Sequence, residues 1–308
     1  MKPTLQTLPL VDPHHHLWDL RANYYPWLTD RVTERVCGEY SAIRRDYLAE
    51  DFARDTAEVN LVETVHVQAE CADPVAETAW LHETAEARGP DSFPHGVVAF
   101  VDLTGANAER DLRTQREFPR VVGIRQMLHE GRINPAQPAA SPMDNPRWRE
   151  NIGLLAKFNL SFDMQVYPWQ SAAACRVIAQ NPELRFVICH NGQPARRDEA
   201  GLKAWREAIA AYARYENVVI KISGVGMFDR EWTVDSIRPF VRHTVETFGA
   251  DRCMFASNFP VDGMMSSYPR LWRAYLDCVA DLSTDEIFDL FSNNAKTYYL
   301  AKLESTSD

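Results

Sequence analysis

Eight short runs rich in Val, Ile and Phe recur along this chain about every 35 residues, and that recurrence constrains the fold more than any single motif does. They occupy residues 8–16, 62–70, 95–102, 121–128, 160–167, 185–190, 217–223 and 252–258. Each has the length of a strand, and each is apolar enough to be covered on both faces. Stretches with apolar residues at helical spacing lie between them, notably 76–87, 146–158, 202–215 and 237–248. Strand and helix alternating eight times predict a single (β/α)8 TIM barrel spanning all 308 residues. Periodicity alone also admits a ninth strand or a doubly wound sheet. Near the end, Ser283, Thr284, Asp285 and Glu286 spell a capping box, which predicts a last helix through Ile287, Leu290 and Phe291.

Two connections are longer than the rest. Residues 19–41, after the first strand, carry Tyr24, Tyr25, Pro26 and Trp27, then Arg31 and Arg35. Residues 129–146, after the fourth, hold four prolines and little apolar periodicity. Barrel loops that follow strands lie on the face where binding sites are built, so both are expected to roof a pocket.

The predicted C-terminal strand ends are polar. The first ends in Asp12, His14, His15 and His16, the second in His66, Gln68 and Glu70, and the fourth in Arg125 and Gln126. Asp163 and Gln165 end the fifth, His190 the sixth, Lys221 and Ser223 the seventh, and Ser257 and Asn258 the eighth, with Asp262 shortly after. Buried polar groups cost free energy unless paired, so polar ends on apolar strands point to a site at this mouth. Positions 14 and 16 share one face of a strand, and their imidazoles, completed by His190, could share a divalent ion such as zinc. The alternative is a hydrogen-bonded pair that holds the barrel mouth together. Arg125 either grips a substrate carboxylate or oxyanion, or pairs internally with Glu70 or Asp163. Asp262 is a candidate general base, or a turn former after Pro260.

Net charge is −10, which argues against a nucleic-acid or anionic-membrane partner. The six cysteines show no C-x-x-C spacing, and the first ten residues carry one Lys and no long apolar run. A reduced, cytoplasmic chain without a secretory leader is therefore expected, taking a small-molecule substrate, with a homodimer through the long loops as the prior for assembly.

Val11-Asp12-Pro13-His14-His15-His16-Leu17-Trp18-Asp19, followed by Tyr25-Pro26-Trp27-Leu28, resembles the opening of the amidohydrolase-related TIM-barrel hydrolases, in their sugar-lactonase-like branch. Gly123-Ile124-Arg125, Phe162-Asp163-Met164-Gln165, Phe186-Val187-Ile188-Cys189-His190 and the run from Met254 to Asp262 match further blocks in order. The resemblance implies hydrolysis of a sugar-acid or dicarboxylate lactone, with His14, His16 and His190 as catalytic groups and metal ligands and Arg125 as a substrate contact. It further implies a divalent metal, zinc by preference, although the same residues could polarise a carbonyl without one. Family members usually place an Asp where this chain has Asn258, so either Asp262 supplies the carboxylate, or Asn258 orients water or substrate as a catalytic group while another residue is the base. Tyr25, Trp27, Gln68 and Gln165 are the expected substrate-binding residues. The rival readings are a metal-dependent decarboxylase of an unsaturated or aromatic acid, and an inactive barrel that only binds a small acid.

Overall fold

A computed structural model describes residues 3–33, 35–89, 92–128 and 141–304. All eight expected strands form: β1 (Leu10–His15), β2 (Leu61–Val67), β3 (Gly96–Ala99), β4 (Val121–Ile124), β5 (Ser161–Met164), β6 (Phe186–Ile188), β7 (Val218–Ile222) and β8 (Cys253–Phe255). Every neighbouring pair is parallel, in the order β1-β2-β3-β4-β5-β6-β7-β8. Closure of the ring happens just past β8. Asn258 N donates to His14 O at 2.7 Å, and His16 N donates to Phe259 O at 2.7 Å. The seam of the barrel therefore runs through the residues that the sequence marks as functional.

The strands are apolar on both faces because both faces are covered. Val11, Val65, Val67, Val98, Val122, Val187, Val219 and Met254 fill the barrel interior, and Tyr299 and Leu300 of the final helical segment plug its lower end. A second apolar layer lies between the sheet and the surrounding helices. The expected helices are there with shifted ends: Pro74–Arg88, Glu199–Ala213 and Val234–Phe248. The 146–158 stretch is two pieces, Pro146–Asn151 and Leu154–Lys157, rather than one. The capping box at Ser283 also forms, its hydroxyl accepting from Glu286 N while Glu286 accepts from Ser283 N.

Residues 19–33 and 35–41 cross the upper mouth as expected and include one helical turn at Pro26–Thr29. Most of the loop expected after β4, residues 129–140, lies outside the described residues.

Candidate active site

Three imidazoles meet at the upper mouth. His14 and His16 project from the same side of the end of β1, with ring centroids 5.1 Å apart. His190 follows β6 and its ring reaches within 4.6 Å of His14. The chain turns sharply there, with His190, Asn191 and Gln193 all at φ of 51° to 55°. L-residues seldom occupy that left-handed region, and such strain gathers at functional sites. Asn258 (φ 56°) and Glu70 (φ 60°) make similar turns after β8 and β2.

Hydrogen bonds fix two of the three rings. His16 Nδ1 donates to Val67 O at 2.6 Å, which leaves Nε2 as the lone-pair nitrogen. His190 Nδ1 lies 3.0 Å from Ser223 Oγ. His14 has no hydrogen-bond partner at either nitrogen among the described residues, although it is fully buried. Burial is the main force holding all three below the usual histidine range. Lys221 reinforces it at His14, and Arg125 at His16 and His190. Three neutral imidazoles with available lone pairs are the donor set a divalent cation takes, and the orphaned nitrogens of His14 fit such an ion.

Among the described residues, the trio whose ligand atoms all lie within 4.8 Å of one another is His14, Asp163 and Cys189, not the three imidazoles. It suits an ion less well. Asp163 is already ion-paired with Lys221 and accepts from Tyr299 OH at 2.7 Å. Burial pushes the Cys189 thiol up to about 12, so without an ion beside it the group keeps its proton.

Above the histidines lies a cavity of about 1300 Å³. His16, His190, Arg125, Gln165, Asn258 and Trp27 line it, and the crossing loop supplies Arg31, Arg35, Val36 and Cys37 to its wall. Arg125 makes no ion pair among the described residues. Its guanidinium donates to Gln68 O and to Gln165 Oε1 at 3.2 Å. Both carboxylates that could have neutralised it are engaged elsewhere, since Arg35 grips Glu70 at 2.9 and 3.2 Å and Lys221 holds Asp163. Buried Glu77 feels the Arg125 charge without forming an ion pair with it, and the guanidinium lines the cavity.

Several expected substrate contacts stand behind the wall instead of in it. Tyr25 is fully buried, its hydroxyl close to the buried Glu77. Gln68 turns its Oε1 to Glu70 N at 2.6 Å. Asp262 is buried beneath Asn258, whose Nδ2 donates to Asp262 Oδ2 at 2.7 Å. Arg35 stacks over Trp27 at 4.5 Å while holding Glu70, so it braces the loop. Sequence reading missed Tyr299, which closes the Asp163 network from the far end of the chain, and Met227 and Phe228, which line the cavity. Their apolar or aromatic character does not distinguish them from core residues.

The profile of the amidohydrolase family matches residues 11–300. An uncharacterized protein of Sinorhizobium fredii is 37% identical, over 96% of this chain and 99% of its own length. An L-fucono-1,5-lactonase of Burkholderia ambifaria is 28% identical over 94% of each chain. Among solved structures, an amidohydrolase of Burkholderia multivorans with bound HEPES superposes with a TM-score of 0.80 at 25% identity, covering 94% of this chain and 99% of its own. A zinc-bound amidohydrolase structure from the same species gives 0.79 at 24% identity, with the same coverage. With strand order, closure and strand-end histidines all in place, the chain belongs to the amidohydrolase family.

Proposed function

We propose that this protein is a lactonase, opening a sugar-acid or dicarboxylate lactone by attack of water at the His14, His16 and His190 cluster. The observation that carries the reading is the convergence of three neutral imidazoles beside Arg125, with His16, His190 and Arg125 lining a wide cavity and His14 packed against His16 and His190. The lactonase relatives support it, as does the ordered match of strand-end blocks.

The lactone carbonyl sits against the histidines, and Arg125 steadies either its oxygen as charge develops or a carboxylate on the ring. Gln165 keeps the guanidinium aimed. Trp27 forms one wall. Water adds to the carbonyl carbon, the ring C–O bond breaks, and the departing alkoxide takes a proton, giving an open hydroxy acid that ionises at neutral pH. His14, His16 and His190 would hold a divalent ion, zinc by preference, which when bound supplies Lewis acidity and a water of lowered pKa.

The direct test is acid release, followed with a pH indicator, from a panel of sugar-acid and dicarboxylate lactones, before and after chelation. Turnover of one lactone establishes the reading, and loss of turnover on chelation followed by recovery with zinc establishes the ion. Carbon dioxide release from an aromatic or unsaturated acid, with every lactone left intact, would replace it with a decarboxylase. Tight binding of a small acid without turnover of either class would replace it with a binding protein.

A further inference from the structure

Asn258 stands at the mouth of β8, where a carboxylate would have been the simplest group for handling water. It lines the cavity, and its left-handed backbone (φ 56°) turns the side chain inward. Its carboxamide is not free to choose an orientation. Nδ2 donates to Asp262 Oδ2 at 2.7 Å, and the other carboxylate oxygen accepts from Gly226 N at 2.7 Å. An ionised carboxylate only accepts, so it must draw the NH2 end of the amide toward itself. The carbonyl Oδ1, which accepts from no described residue, is then left for the cavity.

We propose that Asp262 is a positioning residue, locking Asn258 so that β8 presents a neutral hydrogen-bond acceptor to the attacking water or a substrate hydroxyl. The role rests on the lactonase reading only for the identity of that water or hydroxyl. The carboxylate is wholly buried and has no counter-cation among the described residues; its stabilisation comes from two N–H donors. Close packing holds the arrangement, since a Cβ on Gly226 would stand 2.8 Å from Asp262 Oδ1 and 2.7 Å from Met265 Cε. The other titratable groups that face Asp262 are Tyr275 and Cys37, both pushed up by burial and so neutral. Burial also raises Asp262 to about 7. Below that pH the protonated carboxyl can donate to Asn258 Oδ1, the amide can turn over, and a donor replaces the acceptor in the cavity.

Two measurements on the full chain decide this. The first follows side-chain amides in protein labelled with 15N-asparagine, the Asn258 signals being identified by their loss in Asn258→Asp. In the wild type those signals should titrate near neutral pH, and in Asp262→Asn the titration should vanish. The second is kinetics on a lactone the wild type turns over. Asp262→Asn turns an amide toward Asn258 and favours the flipped carboxamide, so kcat should fall about tenfold or more with little change in KM, and the acid limb of the pH profile should disappear. Gly226→Ala, which crowds the same carboxylate, should do the same in part and serves if Asp262→Asn does not fold. Signals that ignore Asp262 overturn the proposal. So does an unchanged pH profile in a variant that has lost only thermal stability. If no lactone is turned over, the lactonase reading fails by itself and the amide titration alone decides whether the lock exists.

Discussion

Among the described residues His14 has no hydrogen bond at either ring nitrogen, whereas His16 and His190 are each tied to a neighbour, and the difference predicts how substitutions should behave. A buried imidazole whose nitrogens bond nothing in the protein has packing as its only structural duty, so its chemistry lies with what enters the site. Replacing His14 by Ala should lower kcat by about 100- to 1000-fold, the scale for removing one polarising group at a reacting carbonyl, while altering unfolding only as a lost packing group does. Ser223→Ala removes only the contact that orients His190, and about tenfold is expected. Steady-state kinetics on an identified lactone, with unfolding curves for both variants, checks the pair. A Ser223 variant as impaired as the His14 variant would mean that His190 orientation, not His14, limits the reaction.

At the scale of elements, the strands were legible because each carries its own apolar signal and lies buried on both faces, so the expected positions fall on β1 to β8. Their ends were read too long. The 62–70 run, for instance, gives a strand ending at Val67: Gln68 N still donates to Val98 O at 2.8 Å, but Glu70 turns out at φ 60° with its backbone N held by the Gln68 side chain. The His14, His16 and His190 convergence was readable from strand alternation and strand-end position. The depth of Tyr25, Gln68 and Asp262 was not, since sequence shows that a residue is polar and near a strand end but not whether a neighbour stands in front of it. The partners of Arg125 were equally hidden, for the spacing allowed an internal pair with either Glu70 or Asp163, and the structure gives it neither. Turn geometry was hidden as well, and Gly224 shows its consequence. It follows β7 at φ 67°, and an added Cβ would lie 2.9 Å from His190 Nδ1 and 2.6 Å from Met227 Cε. Gly224→Ala should therefore cost about 1–2 kcal/mol from the left-handed backbone alone and push His190 off Ser223. Urea unfolding read beside kcat tests this, and a variant as stable and as active as the wild type would show that the turn tolerates a side chain.

At the scale of the whole molecule, the barrel keeps charge in its interior and balances it with long-range partners. Lys221 on β7 and Asp163 on β5 are fully buried and paired, with Tyr299 from the closing segment bonded to the same carboxylate. Removing one partner strands a buried charge, so Lys221→Met should destabilise by about 3–5 kcal/mol, and pairing it with Asp163→Leu should recover much of that loss.

Proton balance over the fold makes the final prediction. His15 and His66 are buried and held neutral, His66 down to about 3, chiefly by burial. As pH falls below about 6.5 the unfolded chain binds protons that the folded chain refuses at these histidines and at His14, His16 and His190, so folding weakens on acidification. Asp12, Glu77 and Asp262 work the other way. Burial raises them to about 6, 7 and 7, so the folded chain holds their protons where the unfolded one has released them, and their contribution is lost as pH rises toward 7. Near pH 5 the five histidines outnumber the three carboxyls, and net stability should rise with pH there before levelling near neutrality. His66→Gln should flatten that acid-side slope by about 1 kcal/mol per pH unit, the linkage of one proton. Urea unfolding at pH 5, 6 and 7 for the wild type and this variant measures it, and equal slopes would mean that His66 takes up its proton in the folded barrel.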